Sequence, residues 1–123
     1  MKFIIYSMLL VSSISFAAKI DKSECQDMLS NKRLEMNAIS SNIENISATR
    51  TPEGGAYRKK EIHCENKNCK IVALANYVTK YLPDHPDADD SGYVKFPNIK
   101  VEEEMSAMIA ASREYQKIDS DCK

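Results

Sequence analysis

The chain has 123 residues and a formal net charge of -1 at pH 7, with 17 basic against 18 acidic side chains. This balance favours no strongly basic surface, so we expect no nucleic-acid partner. A chain of this length forms one small domain whose apolar burial alone gives marginal stability. Its four cysteines are an even number, which in a small exported protein indicates two disulfides.

The first residues have the features of a cleavable export signal. Lys2 precedes an apolar run from Phe3 to Val11, and Ser15-Phe16-Ala17 places small residues at the two positions that a signal peptidase reads. The run is shorter than the about 20 apolar residues that span a membrane. We expect a signal peptide over residues 1–17, with 18 as the alternative last residue, and a single domain over 18–123 that does not contact the membrane. A retained anchor or a short core helix is the competing interpretation.

A first helix is predicted over residues 23–48. Ser23 is a candidate N-cap, and Pro52 follows the expected end of the helix. Apolar residues recur at steps of three and four, with Lys32 as the one polar exception. The apolar stripe consists of Cys25, Leu29, Met36, Ile39, Ile43 and Ile46.

A second helix is predicted over residues 98–120. Pro97 and Asn98 provide an extended entry and a cap, and three glutamates follow at the helix start, where the dipole favours anions. Its apolar stripe consists of Val101, Met105, Met108, Tyr115, Ile118 and Cys122.

The two stripes have the same length, which predicts how they pair. Cys25 to Ile46 and Val101 to Cys122 each cover 21 residue steps, or about 31 Å at 1.5 Å per residue. An antiparallel pair with Ile46 level with Val101 also brings Cys25 level with Cys122. We therefore expect a disulfide between these two cysteines. In the same register, Lys32 would lie along the ring of Tyr115.

The remaining cysteines, Cys64 and Cys69, flank four residues that include two asparagines, which favour a turn. A β-hairpin with a four-residue loop and a disulfide across its strands is expected within a β insertion over 56–80. A helix from Ile71 to Leu82 is the alternative. A connector over 83–97 then leads to the second helix. The expected fold class is α+β, with N- and C-terminal helices paired antiparallel and a small β-hairpin insertion between them.

Two stretches of the sequence, Leu29 to Arg58 and His85 to Tyr115, carry motifs of a known family. The motif residues are Asn42, Asn45, Thr51, Pro52, Gly54, Gly55, Tyr57, His85, Pro86, Gly92, Tyr93, Pro97 and Asn98. In this order they resemble the bacterial flagellar basal-body rod protein FlgC family, whose members are proximal-rod subunits. The resemblance implies paired terminal helices around a β-rich portion, packing against other rod or basal-body subunits and possible self-association. It implies no catalytic residue and no cofactor.

Four features depart from the family pattern. The first 18 residues precede the start of the match near Ile20, four cysteines are present, the middle of the chain is short, and Glu44 replaces a small alanine. Two functional interpretations follow. The protein is either a structural subunit of the rod in the flagellum basal body, with a role in motility, or a periplasmic derivative closed by a disulfide that acts as a monomeric structural or adaptor protein.

Metal and catalytic chemistry is weakly indicated. The segment from Asp87 to Val94 resembles the start of a calcium-binding loop, but Asn98 stands where the closing acidic ligand is required. Zinc ligation by His63, Cys64, Cys69 and His85 would compete with disulfide formation, which an oxidising compartment favours. No set of titratable residues suggests a catalytic pocket. The sequence therefore predicts no enzyme, metal or cofactor.

Overall fold

The structure is a computed structural model that describes residues 19–123. The expected signal peptide lies outside this range. The elements in chain order are α1 (Lys22–Glu44), β1 (Lys59–Glu65), β2 (Asn68–Leu74), β3 (Tyr77–Tyr81), β4 (Tyr93–Pro97) and α2 (Val101–Asp121). The predicted α+β class, with terminal helices flanking a β insertion, is confirmed. Neither helix of the described part has an apolar stretch long enough to cross a membrane.

The first helix is shorter than predicted at its C-terminal end. Asp21, not Ser23, precedes its first residue, and the Ser23 hydroxyl donates to the Asp21 carboxylate at 2.5 Å. After Glu44 the Asn45 side chain donates back to a carbonyl of the last turn at 2.8 Å, and a turn follows. An amide that bonds to local backbone in this way competes with helix continuation. Ile46 therefore lies in the turn, not at the end of a helical stripe.

The second helix begins three residues later than predicted. Lys100, not Asn98, occupies the N-cap position, with extended backbone and no side-chain cap. Pro97 is the last residue of β4, and the Asn98 N–H donates to the Asn76 carbonyl at 3.1 Å. This backbone bond keeps Asn98 in the extended segment, so the helix starts only after it.

The two helices run antiparallel in the register that the cysteines predict. Cys25 and Cys122 are bonded at one end. Asn42, 17 residues after Cys25, bonds to Glu104, 18 residues before Cys122, at 3.0 Å. The two spacings differ by only one residue, so one antiparallel alignment holds along the pair.

One predicted contact between the helices is replaced by contacts that involve neighbouring residues. Lys32 does not lie along the Tyr115 ring but pairs with Glu114, and also with Glu35 at 2.7 Å. Arg33 instead donates to the Tyr115 hydroxyl at 2.7 Å, with its guanidinium 5.5 Å from the ring centroid. A charged partner one residue away satisfies the ammonium group better than the ring does.

The helix contact buries only part of each predicted stripe. Cys25, Leu29 and Ile39 are buried. The half-buried members are Met36, Ile43, Ile46, Val101, Met108, Tyr115, Ile118 and Cys122. Met105 is 55 % exposed, so its predicted place in this contact is wrong. Glu104 holds that inward position because it lies two turns before the buried Ala111, whereas Met105 is rotated by about 100°.

The first hairpin pairs β1 with β2. Cys64 lies opposite Cys69, and Glu65 opposite Asn68, so the loop contains two residues and not the predicted four. Asn66 in this loop has a φ of +57°, a conformation that asparagine tolerates better than most residues. The alternative of a helix from Ile71 to Leu82 is wrong, since this segment contributes to β2 and β3.

A second hairpin, β3 with β4, was not predicted. Tyr77 pairs with Pro97 and Tyr81 with Tyr93, so the expected connector over 83–97 contains a strand. Val94, the second residue of β4, is fully buried. Proline is compatible with this strand because it stands at the end of an edge strand.

Candidate functional site

The covalent end of the helix pair consists of Cys25 and Cys122. Their sulfur atoms are 2.05 Å apart and their Cα atoms 5.9 Å apart. Cys25 is 4 % exposed in the first turns of α1, and Cys122 directly follows α2. The bond joins residues separated by 97 positions, so it closes nearly the whole described chain into one loop.

The opposite end of the pair is held by Asn42, which is 1 % exposed. Its Nδ2 donates to the Lys60 carbonyl at 2.8 Å and to Glu104 Oε2 at 3.0 Å. Its Oδ1 accepts from the Lys60 N–H at 2.8 Å and from the Tyr57 hydroxyl at 3.0 Å. Both donors and both acceptor positions of the amide are therefore used. The side chain bonds to β1 as a neighbouring strand would.

Glu104 completes this buried polar network. It is 5 % exposed, and its Oε1 accepts from Lys59 Nζ at 2.9 Å. The hydrogen bond from Lys59 to Glu104 raises the pKa of the lysine above its ordinary value. Burial raises the pKa of Tyr57. A buried carboxylate is tolerated when it is paired and hydrogen-bonded, so Asn42, Tyr57, Lys59 and Glu104 join α1, β1 and α2 at one point.

A second ionic cluster fixes the loop between β3 and β4. Asp87 Oδ2 accepts from the Thr49 hydroxyl at 2.8 Å, and its Oδ1 accepts from Arg50 Nε at 3.0 Å. The hydrogen bond from Thr49, followed by that from Arg50, lowers the pKa of Asp87. Asp89 Oδ1 accepts the N–H groups of Ser91 and Tyr93, each at 2.9 Å. Asp87 therefore links this loop to the segment after α1, whereas Asp89 stabilises the turn itself.

The side chains that the sequence disfavours as metal ligands have other partners. Cys64 and Cys69 are bonded to each other, with Cα atoms 4.0 Å apart. His85 Nδ1 accepts the N–H of Asp87 at 3.0 Å. Over residues 19–123, no three His, Cys, Asp or Glu side chains gather in a metal-binding arrangement.

The family glycines occupy turn positions that require a left-handed backbone. Gly54 and Gly55 have φ values of +93° and +72° in the turn after α1, and the Thr51 hydroxyl donates to both of their carbonyls. Gly92 has a φ of +84°, and a Cβ there would lie 2.7 Å from the Tyr81 ring. These glycines set the direction of the chain where it leaves α1 and where it enters β4.

The other motif residues lie near the same two turns. The first group follows α1 or lies at its end and contains Asn42, Asn45, Thr51, Pro52 and Tyr57. The second lies in and around the β3–β4 hairpin and contains His85, Pro86, Tyr93, Pro97 and Asn98. Asn42 bonds to the backbone of β1, whereas Asn45 bonds to its own helix. Glu44 is exposed, so its charge disturbs no helix contact.

Sequence reasoning missed Glu104 and Lys59. Glu104 belongs to a run of three glutamates, and the helix dipole is enough to explain acidic residues at a helix start. Lys59 has the sequence position of a solvated residue at a strand end. The signal that could have found Glu104 is its spacing of seven residues from Ala111, which places both on one side of α2.

Comparison with known proteins agrees with this architecture. A family model described as "Flagellar basal body rod FlgEFG protein C-terminal" matches residues 90–116, which include β4 and most of α2. The flagellar basal-body rod protein FlgC of Borreliella burgdorferi is 35 % identical over 117 residues, covering 72 % of this chain and 77 % of the relative.

Two further relatives bear the same name. The Salmonella typhimurium protein is 32 % identical, covering 66 % of this chain and 69 % of its own length. The Agrobacterium fabrum protein is 32 % identical, covering 83 % of this chain and 80 % of its own length. The chain therefore belongs to the flagellar basal-body rod protein FlgC family.

Proposed function

We propose that this protein is a structural subunit of the flagellar basal body that packs through its terminal helices in the rod crossing the periplasm. Its partners are other rod or basal-body subunits. The observation that carries the proposal is a helix pair in a single register, closed at one end by Cys25–Cys122 and at the other by Asn42 and Glu104. The proposal assigns the protein no catalytic activity and no cofactor.

The geometry of the helix pair supports a role as a rod subunit. The 23 residues of α1 give a length of about 34 Å at 1.5 Å per residue. Because the two helices are joined at both ends, they form one stiff unit whose outward side chains keep fixed positions. A stiff unit with a fixed outer surface can repeat the same contact from one subunit to the next.

Export through a cleaved signal is part of the proposal. Residues 1–17 have the composition of a signal peptide, and paired cysteines persist mainly in oxidising compartments. We expect N-terminal sequencing of the protein from cells to begin at Ala18 or Lys19. A mature protein that begins at Met1 would contradict this route.

A monomeric periplasmic derivative of a rod protein is the second candidate. Cys25–Cys122 favours it, because the bond lets the helix pair close within one chain, without apolar surface from a neighbouring subunit. In this function the protein would be a structural or adaptor component of the periplasm.

Fractionation of cells tests the two candidates against each other. The protein is detected by antibody in purified basal bodies and in the soluble periplasmic fraction. We expect it to copurify with basal bodies, and we expect a strain without it to lose motility. Recovery only in the soluble fraction, with motility retained, would contradict the rod function and support the derivative. A C25A/C122A variant shows whether the closed pair is needed for either location.

A further inference from the structure

The side of α2 that faces away from α1 carries two large apolar side chains in solvent. Met105 and Ile109 are 55 % and 54 % exposed. They are four residues apart and therefore lie one above the other on the helix. At about 100° per residue, Ile109 lies about 160° around the helix from the buried Ala111. The contact with α1 therefore leaves both side chains uncovered.

Two charged residues flank this apolar pair. Glu102 and Arg113 are 11 residues apart, which is about three turns, so they lie on the same side as Met105 and Ile109. Within residues 19–123, every other charged side chain of α2 takes part in an ion pair, whereas Glu102 and Arg113 do not. We define the outer face of α2 as the exposed residues Glu102, Met105, Ser106, Ile109, Ala110 and Arg113.

We propose that a second copy of this chain docks on the outer face of α2, helix against helix and antiparallel. A two-fold axis centred between positions 107 and 108 places Glu102 opposite Arg113 of the second copy. It also places Met105 opposite Ala110, and Ile109 opposite Ser106. Each large side chain thus meets a small one, which allows close approach of the two helices. The symmetry repeats every contact twice.

The charges select this orientation. A parallel pair in register would place glutamate against glutamate and arginine against arginine, which is unfavourable. The antiparallel pair satisfies two ion pairs that the single chain leaves unformed. A second copy is therefore the occupant whose charge pattern matches the face.

The geometry also defines the size of the assembly. A two-fold contact uses the same patch on both copies, so it closes at the dimer and does not extend into a filament. The face comprises six residues over about three turns, fewer than the roughly 20 to 30 residues per partner of a standard interface. We expect a weak, reversible dimer that salt weakens further. The proposal does not depend on the rod function.

Substitutions that reverse the charge of Glu102 or Arg113 test the proposed dimer in the full-length protein. Sedimentation equilibrium at low salt measures association of the wild type, E102R, R113E and the double variant E102R/R113E. Each single variant places like charges at both ends of the contact, and we expect its dissociation constant to rise about tenfold. The double variant, and an equimolar mixture of the two single variants, should return to the wild-type value. Every variant has the same N-terminal segment, so residues 1–18 cannot create this pattern.

An apolar substitution with a matched control completes the test. I109D should abolish association, whereas L82D, at another exposed apolar position, should leave it unchanged. Far-UV circular dichroism checks that each variant folds. A wild type that stays monomeric at the highest attainable concentration would overturn the proposal. So would filaments, or a dimer whose constant is unaffected by the single charge exchanges.

Discussion

The two ends of the helix pair are joined by different chemistry. At one end Cys25 and Cys122 form a covalent link that acts through the entropy of the unfolded chain. At the other, Asn42 and Glu104 form a buried polar network that acts through hydrogen bonds in the folded state. The cysteine end is set by two residues, whereas the polar end needs α1, β1 and α2 in place together. The polar end is therefore the more specific reporter of the complete fold.

Removal of the covalent link is expected to have the largest effect. A loop of roughly 100 residues contributes about 4 to 5 kcal/mol in the chain-entropy model. C25A/C122A should therefore lose stability of this order in urea unfolding followed by circular dichroism. Since small domains are stable by about 5 to 15 kcal/mol, the variant should be close to partial unfolding at room temperature. A loss below about 1 kcal/mol would show that the polar end suffices.

Removal of the buried carboxylate should have the next largest effect. Glu104→Leu leaves Lys59 and the Asn42 amide without their partner, and we expect a loss of about 3 kcal/mol in the same assay. Glu103→Gln is the matched control, because Glu103 is exposed on the same turn and should change stability by less than about 0.5 kcal/mol. Equal losses for the two variants would contradict the buried network.

The short disulfide should matter less than the long one. Cys64 and Cys69 are five positions apart, and closing so small a loop contributes about 2 kcal/mol in the same model. C64A/C69A should reduce stability by this amount while keeping the helical circular dichroism signal. A larger loss than that of C25A/C122A would reverse the comparison between the two bonds.

Alkaline pH should have the smallest effect on stability, and at the polar end it acts through Lys59 and Tyr57. The pKa of Lys59 is raised above 10.5 by its bond to Glu104, so its contribution is complete below pH 10.5 and is lost as pH rises through the folded-state value. The raised pKa of Tyr57 acts in the same direction above pH 10.0. The urea midpoint should therefore fall above about pH 10, and less steeply in Glu104→Gln. An identical pH profile in that variant would contradict the assignment.

The sequence was sufficient for the parts of the fold that repeat at a fixed period. Apolar steps of three and four located both helices, and the equal lengths of the two stripes gave the antiparallel register. The asparagines around position 66 indicated the first hairpin. Each of these features depends on local residue patterns that can be recognised in the sequence without knowledge of the fold.

The parts that were missed depend on tertiary context. In the sequence, a glutamate at position 104 is expected to be a solvated residue at the start of a helix. Its burial depends on contacts with Asn42 and Lys59, which belong to other elements. The strand Tyr93–Pro97 is short and ends in a proline, so its sequence pattern predicts a connector. Helix ends shifted because Asn45 and Asn98 form backbone bonds that propensity alone does not rank.

Peptide mapping of the protein isolated from cells, alkylated before any reduction, tests the helix pair most directly. We expect the four cysteines to be found in two linked peptides, one joining Cys25 to Cys122 and the other joining Cys64 to Cys69. Alkylated Cys25 and Cys122, or a link from either of them to the hairpin cysteines, would contradict the in-register closure of the two helices.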